Sequence, residues 1–163
     1  MSAQFVTRIL VLPLLLTALV LGTSAVEPSS AEAATKVTRA EKIKKAHRIA
    51  TRQIGDRYRY GAAGPDRFDC SGLTYFAFRK AGFTDFPRTS RAQYRHVRTI
   101  RKSQLRRGDL VFFHDGGRVY HVAIFLRRKD GRVKILHAPS SGTRVKRDFA
   151  WTTKFYAGTL RRK

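Results

Sequence analysis

An α+β domain, with N-terminal helices packed on one face of a small antiparallel β-sheet, is the architecture to which three features of this chain point. Apolar residues recur at helical spacing ahead of Gly82, short strand-like segments separated by turns follow Gly108, and no internal repeat or low-complexity tract extends the 163 residues beyond one domain. Eleven Phe, six Tyr and one Trp, among 42% hydrophobic residues, supply the core. A single cysteine excludes an internal disulfide or a cysteine-cluster metal site, so the fold stands on packing alone.

Residues 1–33 read as a secretory signal peptide rather than as part of that domain. Arg8 precedes an apolar run from Ile9 to Leu21, about 13 residues against the roughly 20 a helix needs to cross a bilayer. Small-residue cleavage signatures end at Ala25 and at Ala33, and the later one leaves residues 34–163 as a single domain with helical patterning just beyond the cut. A retained membrane anchor is the alternative; after cleavage no permanent membrane span is expected. Cleavage after Ala33 removes Arg8, Glu27 and Glu32 from 34 basic and 11 acidic residues, which raises the formal charge from +23 to +24.

An exported cation of this size is expected in a secreted, extracellular or cell-wall-associated setting, among anionic cell-wall polymers that bind it by charge. Nucleic acid is the other obvious polyanion. The Lys and Arg residues are scattered from Arg39 to Lys163 and no zinc-finger, RNP or basic-zipper pattern accompanies them, so no specific nucleic-acid partner is expected.

From Val37 to Ile54, Ile43, Ala46, Ala50 and Ile54 recur with charged residues between them, which predicts a helix with one buried stripe, ended by Gly55. A loop from Asp56 to Phe68 follows. Asp69 to Ala81 reads as a second helix, with Leu73, Phe76, Ala77 and Ala81 on one side and Gly82 as its stop. Phe83 to Arg107 is irregular or partly helical, with Pro87 and Ser90 as breakers. Strands are predicted at Leu110–His114, Val119–Arg127, Arg132–Ala138 and Arg144–Asp148.

Cys70 falls at the N-terminus of the second helix, three residues before Leu73, so its side chain should look toward the sheet. Such a position lowers a thiol pKa, while the neighbouring Asp69, as helix cap, opposes that; taken alone, Cys70 reads as a nucleophile or as a small buried hydrophobe. His121 and His137 lie within strands, and hairpin parity decides whether they meet. A three-residue Lys129-Asp130-Gly131 loop sets Arg128 opposite Arg132 and His137 opposite Ala123, diagonal to His121 on the same face. A two-residue Asp130-Gly131 turn sends the two histidines to opposite faces. With the first register, one histidine serves Cys70 as base and the other orients it. His114 is a competing base, whereas His47 and His96 sit among basic residues and read as solvated.

The run Tyr58-Arg59-Tyr60-Gly61, then Phe68-Asp69-Cys70-Ser71-Gly72-Leu73, resembles the signature of the NlpC-type family of bacterial cell-wall cysteine peptidases. Phe86-Pro87-Arg88-Thr89-Ser90 with Gln93, Arg107 to Phe113, His121-Val122-Ala123-Ile124 and His137-Ala138 follow in the family's order. The resemblance implies a papain-like fold with a catalytic Cys at a helix N-terminus. It assigns Cys70 as nucleophile, His121 as general base and then acid, and His137 as the residue that holds His121 in its useful tautomer. The backbone amide of Cys70 becomes half of an oxyanion hole.

In the same way it implies substrate-binding roles for Tyr58, Asp69 and Ser71, although Asp69 also reads as a helix cap, Ser71 as first-turn filler and Tyr58 as core. Arg88, Thr89 and Ser90 shape a loop or touch ligand. The pair Gly61-Ala62 departs from the family's usual double glycine. The implied activity is cleavage of an amide in peptidoglycan peptide stems, between D-glutamate's side-chain carboxyl and the following diamino acid, with no metal or cofactor. A catalytically silent wall-binding module, or a related amidase or acyltransferase, is the alternative.

Overall fold

The computed structural model describes residues 37–161, so the signal-peptide expectation for residues 1–33 lies outside the described residues. The first helix, α1 (Arg39–Arg52), begins where Thr38 and Glu41 form a reciprocal capping box, and it buries Ile43, Ala46 and Ala50. Ile54, predicted on that stripe, is instead exposed, because the chain leaves helical geometry after the cap Gln53 and turns at Gly55.

The loop from Asp56 to Phe68 contains a short parallel pair, β1 (Arg57–Tyr58) and β2 (Arg67–Phe68). Helix α2 (Cys70–Lys80) starts on Asp69, whose carboxylate accepts from the Gly72 N–H. It buries Leu73, Ala77 and Phe78, while the predicted Phe76 is only partly buried. The segment expected to be irregular or partly helical contains one helix and one strand whose positions its sequence does not mark. Ser90, read as a breaker, is the first residue of α3 (Ser90–His96), capped by Thr89, and β3 (Arg98–Ile100) and a 3₁₀ turn at Lys102–Gln104 follow.

Strands β4 (Leu110–Asp115), β5 (Arg118–Lys129), β6 (Arg132–His137) and β7 (Lys146–Phe149) agree with the predicted set to within a few residues, and β8 (Phe155–Thr159) was not foreseen. The six-stranded sheet runs β3-β8-β4-β5-β6-β7 with every neighbouring pair antiparallel. The order is therefore not purely sequential: β8 returns to lie between β3 and β4.

Alternation along the strands divides the apolar side chains. Phe112, Val122, Ile124 and Leu136 join Ile43, Leu73, Ala77 and Phe78 in the main core. Val111, Phe113, Ala123, Phe125 and Ile135 form a second cluster with Leu105 and Phe155. Full burial of Phe112, at 0% exposure, is worth about 1.5–3 kcal/mol.

The β5–β6 hairpin corrects one expectation. Lys129 pairs with Arg132 across a two-residue turn, with Asp130 at φ 50° and Gly131 at φ 70°, so there is no three-residue loop and Arg128 faces Val133. The ladder then shifts by one between Phe125 and Arg127, where Leu126 is the extra residue of a β-bulge. Beyond it Ile124 pairs with Leu136, which sets His137 opposite Ala123 and returns both histidines to one face.

Candidate active site

Where the N-terminus of α2 meets β5 and β6, a cleft of about 980 Å³ is lined by Tyr58, Asp69, Cys70, Ser71, His121 and His137. All six residues singled out in the sequence converge there. Cys70 is the first residue of α2 and is half-buried against the main core. The backbone N–H groups of Val122 and Ser71 face its sulfur, which puts the thiol beside the residue following His121. Burial pushes the thiol pKa up, with Asp69 adding to that, and the Val122 N–H opposes it.

His121 and His137 are buried, and His121 Nε2 lies 3.0 Å from His137 Nδ1 with the rings nearly perpendicular. Burial drives both below their usual 6.5, His121 to about 3, with His137 a second cause, and His137 to about 4. At neutral pH the cleft therefore rests with a neutral thiol and two neutral imidazoles. The inter-ring bond leaves Nδ1 as the nitrogen of His121 free to act as a base. That role requires the proton on Nε2, donated to His137 Nδ1, and hence the His137 proton on Nε2. His137 Nε2 is buried without a hydrogen-bond partner, and the carboxylate of Asp148, diagonal to it on β7 and paired with Lys146 at 2.8 Å, favours charge on that ring.

Asp69 is more deeply committed than a substrate-facing carboxylate needs to be. It is 7% exposed and accepts from Gly61 N (2.9 Å), Gly72 N (2.6 Å), Ser71 Oγ (3.2 Å) and both Arg88 Nη atoms (3.1 and 2.7 Å). Burial alone raises its pKa; the bonds from Arg88 and Gly72 outweigh burial and hold it below the ordinary carboxylate value. Arg88 also donates to Ser71 Oγ and to the carbonyl of Ala62, so it ties the loop before α2 to the helix. Gln93, fully buried, donates to the carbonyls of Ser71 and Pro87 and accepts from Thr74. Tyr58 keeps its proton more tightly than usual because it is partly buried, with Cys70 and Asp69 adding to the effect.

Other sequence expectations fall outside the cleft. His114 stacks on Tyr156 at 4.1 Å and does not line the cleft. His96, read as solvated, packs edge-on against Phe86 with its side chain 17% exposed, and His47 is half-buried. Trp151 was not singled out at all. Its ring stacks on Phe113 (4.0 Å) and lies 5.3 Å from His121 and 5.7 Å from His137, with its indole N–H donated to Tyr120 Oη. That this is the chain's lone Trp was the only signal available. Among the described residues no cluster of three or more His, Cys, Asp or Glu side chains could hold a metal ion.

The sequence and the fold have counterparts among known proteins. The NlpC/P60 family matches residues 55–160. A probable endopeptidase p60 of Listeria monocytogenes is 41% identical over 95 residues, covering 58% of this chain and 19% of the relative. The murein DD-endopeptidase MepH of Escherichia coli is 36% identical over 113 residues, covering 64% and 40%. The chain thus spans less than half the length of these curated relatives. Among solved structures, the NlpC/p60 domain of the peptidoglycan hydrolase SagA superposes with a TM-score of 0.65 at 30% identity over 72% of this chain and 98% of that one. The peptidoglycan hydrolase RipB of Mycobacterium tuberculosis gives 0.64 at 26% identity, covering 82% and 72%. The family match runs from the turn after α1 to the end of β8 and so takes in every element that lines the cleft, which makes this chain a member of the NlpC/P60 family.

Proposed function

We propose that the cleft hydrolyses an amide bond in peptidoglycan stem peptides by thiol catalysis. The observation that carries this reading is the 3.0 Å bond between His121 Nε2 and His137 Nδ1 in the same cleft as Cys70. Cys70 Sγ attacks the carbonyl carbon as His121 Nδ1 takes the thiol proton, and the resulting imidazolium gives that proton to the leaving amine. Water, deprotonated by the same nitrogen, then cleaves the thioester and restores the thiol. His137 holds the tautomer, and the Cys70 backbone N–H, at the positive end of α2, faces the developing oxyanion. Asp69 and Arg88 shape the wall beside Tyr58 and Ser71, where the stem peptide binds.

The bond is read as D-γ-glutamyl–diamino acid. The DD-endopeptidase named among the relatives makes the cross-link the second candidate. Residues 1–33 are read as an export signal, and the formal charge of +24 left after their removal as a means of holding the exported enzyme on anionic wall polymers. Incubating the protein and its Cys70→Ala variant with defined muropeptides, and identifying new termini by mass spectrometry, tests the reaction and the bond together. Cleavage by the unaltered protein alone, with a fall of at least 1,000-fold in the variant, on the order of what loss of a nucleophile costs, is the expected result. Equal cleavage by the two proteins overturns the thiol mechanism, and no cleavage by either favours a binding module.

A further inference from the structure

The cationic residues that look scattered in sequence gather, in three dimensions, on a face that shares no residue with the catalytic cleft. Two adjoining concavities of about 300 and 520 Å³ have His47 and Arg107 in common. Arg127, Lys134 and Arg147, from β5, β6 and β7, complete the first around the bulge residue Leu126; Arg48 of α1 and Arg106 stand in the second. Among the described residues no carboxylate lines either. The neighbouring Asp109 is buried and already held by Arg161 and Thr159. His47 records the resulting field: burial first, then the charges of Arg107, Arg147 and Arg48, hold its pKa below the usual 6.5.

Like charges gathered around a half-buried imidazole, with Arg161 the one among the described lining residues that is ion-paired to a carboxylate, favour an anion that bridges them. Guanidinium forks match phosphate oxygens in pairs. Two concavities side by side suit a chain with repeating anionic groups better than a single ion. Among the described residues no Phe, Tyr or Trp lines either concavity, so they offer none of the base stacking that single-stranded nucleic acid uses. Among the described residues the exposed large apolar side chains, Val37, Ile54, Tyr60, Tyr120 and Trp151, line neither concavity, so none of them would anchor this face in a lipid surface.

We propose that the paired concavities around His47 and Arg107 are a docking site for a flexible phosphodiester polymer, the polyol-phosphate chains of a bacterial wall, occupied while the catalytic cleft stays free. The choice of polymer rests on the wall-hydrolase reading, whereas the site rests on the placement of charge. Arg127 and Arg147 then contact phosphates directly, and a bound chain returns negative charge to His47.

The test titrates the protein with poly(glycerol phosphate) at two salt concentrations and follows the His47 ring by NMR. An Arg127→Gln/Arg147→Gln protein is compared with an Arg79→Gln/Arg95→Gln protein, whose two exposed arginines on α2 and α3 carry the same total charge away from this face. The expected result is a rise in the His47 pKa on binding, a loss of affinity of about tenfold or more in the first variant and less than about threefold in the second, and weaker binding at higher salt. Equal losses in the two variants, or an unmoved His47, overturn the site. An oligothymidylate of equal charge that binds more tightly overturns the choice of polymer. Cleavage of short soluble muropeptides, measured in parallel, is expected to be the same in both variants. Its absence in the unaltered protein refutes the hydrolase reading without touching the binding result.

Discussion

At Gly72 a Cβ would sit 1.9 Å from the carbonyl oxygen of Ala62, a contact with backbone that no rotamer change relieves. That close approach seats the loop from Gly61 to Gly64 on the first turn of α2, where Asp69 accepts from both Gly61 and Gly72. Gly72→Ala is expected to push the two apart. Stability should fall by about 1–3 kcal/mol, as for other overpacked sites, with kcat/KM down by about 100-fold, the scale of a small misplacement of catalytic groups. Urea denaturation and muropeptide kinetics read the two effects, and an unchanged kcat/KM would show that this approach does not set the nucleophile's position. Trp151 makes a different residue-scale case. It packs on both histidines while half its surface faces water, so Trp151→Ala should rehydrate the pair and raise both pKa values toward 6.5. NMR titration of the ring protons checks this; unmoved values would mean that other walls of the cleft keep the pair dry.

At the scale of elements, the β5–β6 hairpin shows what the sequence could and could not specify. The expected neighbourhood of His137 and Ala123 is present, yet it is reached by a two-residue turn followed by the bulge at Leu126, because a bulge adds one residue without any local sequence mark. Strands β4 and β5 were legible through their apolar runs, and β6 through the alternation from Arg132 to Ile135. Helix α3 was not, since its seven residues bury only the polar Gln93 and so carry no apolar stripe. Nor was β8, whose Phe155 and Ala157 face the second cluster while Gly158 lies close under Val97 and Phe112, leaving small residues in place of alternation. The six residues proposed for the site, which line one cleft, were readable as a motif. How they are held was less legible: Arg88 reads only as shaping a loop or touching ligand, although it bonds Asp69 and Ser71, and Trp151 lies in a segment without periodicity. The bulge also separates the hairpin tip from the site, and that separation is testable. Gly131 has φ 70° and open space around its missing Cβ, so Gly131→Ala carries only the left-handed backbone penalty of about 1–2 kcal/mol. Urea midpoints should fall accordingly while kcat/KM stays the same; a parallel loss of activity would show that the tip and the histidines are coupled.

At the scale of the molecule, α1 lies ahead of the family-matched stretch at 55–160, yet its Ile43, Ala46 and Ala50 belong to the main core, so the folding unit is larger than the recognisable motif. The burial that lowers the two histidine pKa values also links stability to acid pH. His121 and His137 titrate at about 3 and about 4 when folded, against 6.5 when not. Above 6.5 both states are neutral and the pair places no pH dependence on stability. As the pH falls below 6.5 the unfolded chain binds protons that the folded one refuses, so stability drops progressively down to the folded values. Asp69 acts in a lower window, because its pKa is held below that of an ordinary carboxylate and its contribution is lost only as pH falls toward that value. His47, also lowered, adds to the histidine slope, so the comparison that isolates the cleft is His137→Gln, which removes one buried titrating ring and leaves His47 in place. Urea midpoints between pH 7.5 and 4.5 are expected to fall steeply in the unaltered protein and less steeply in the variant. Identical slopes would mean that the pair takes up protons without unfolding. In that case kcat/KM should itself show a step near 6.5, whereas a pair that stays neutral keeps His121 a competent base until the fold is lost.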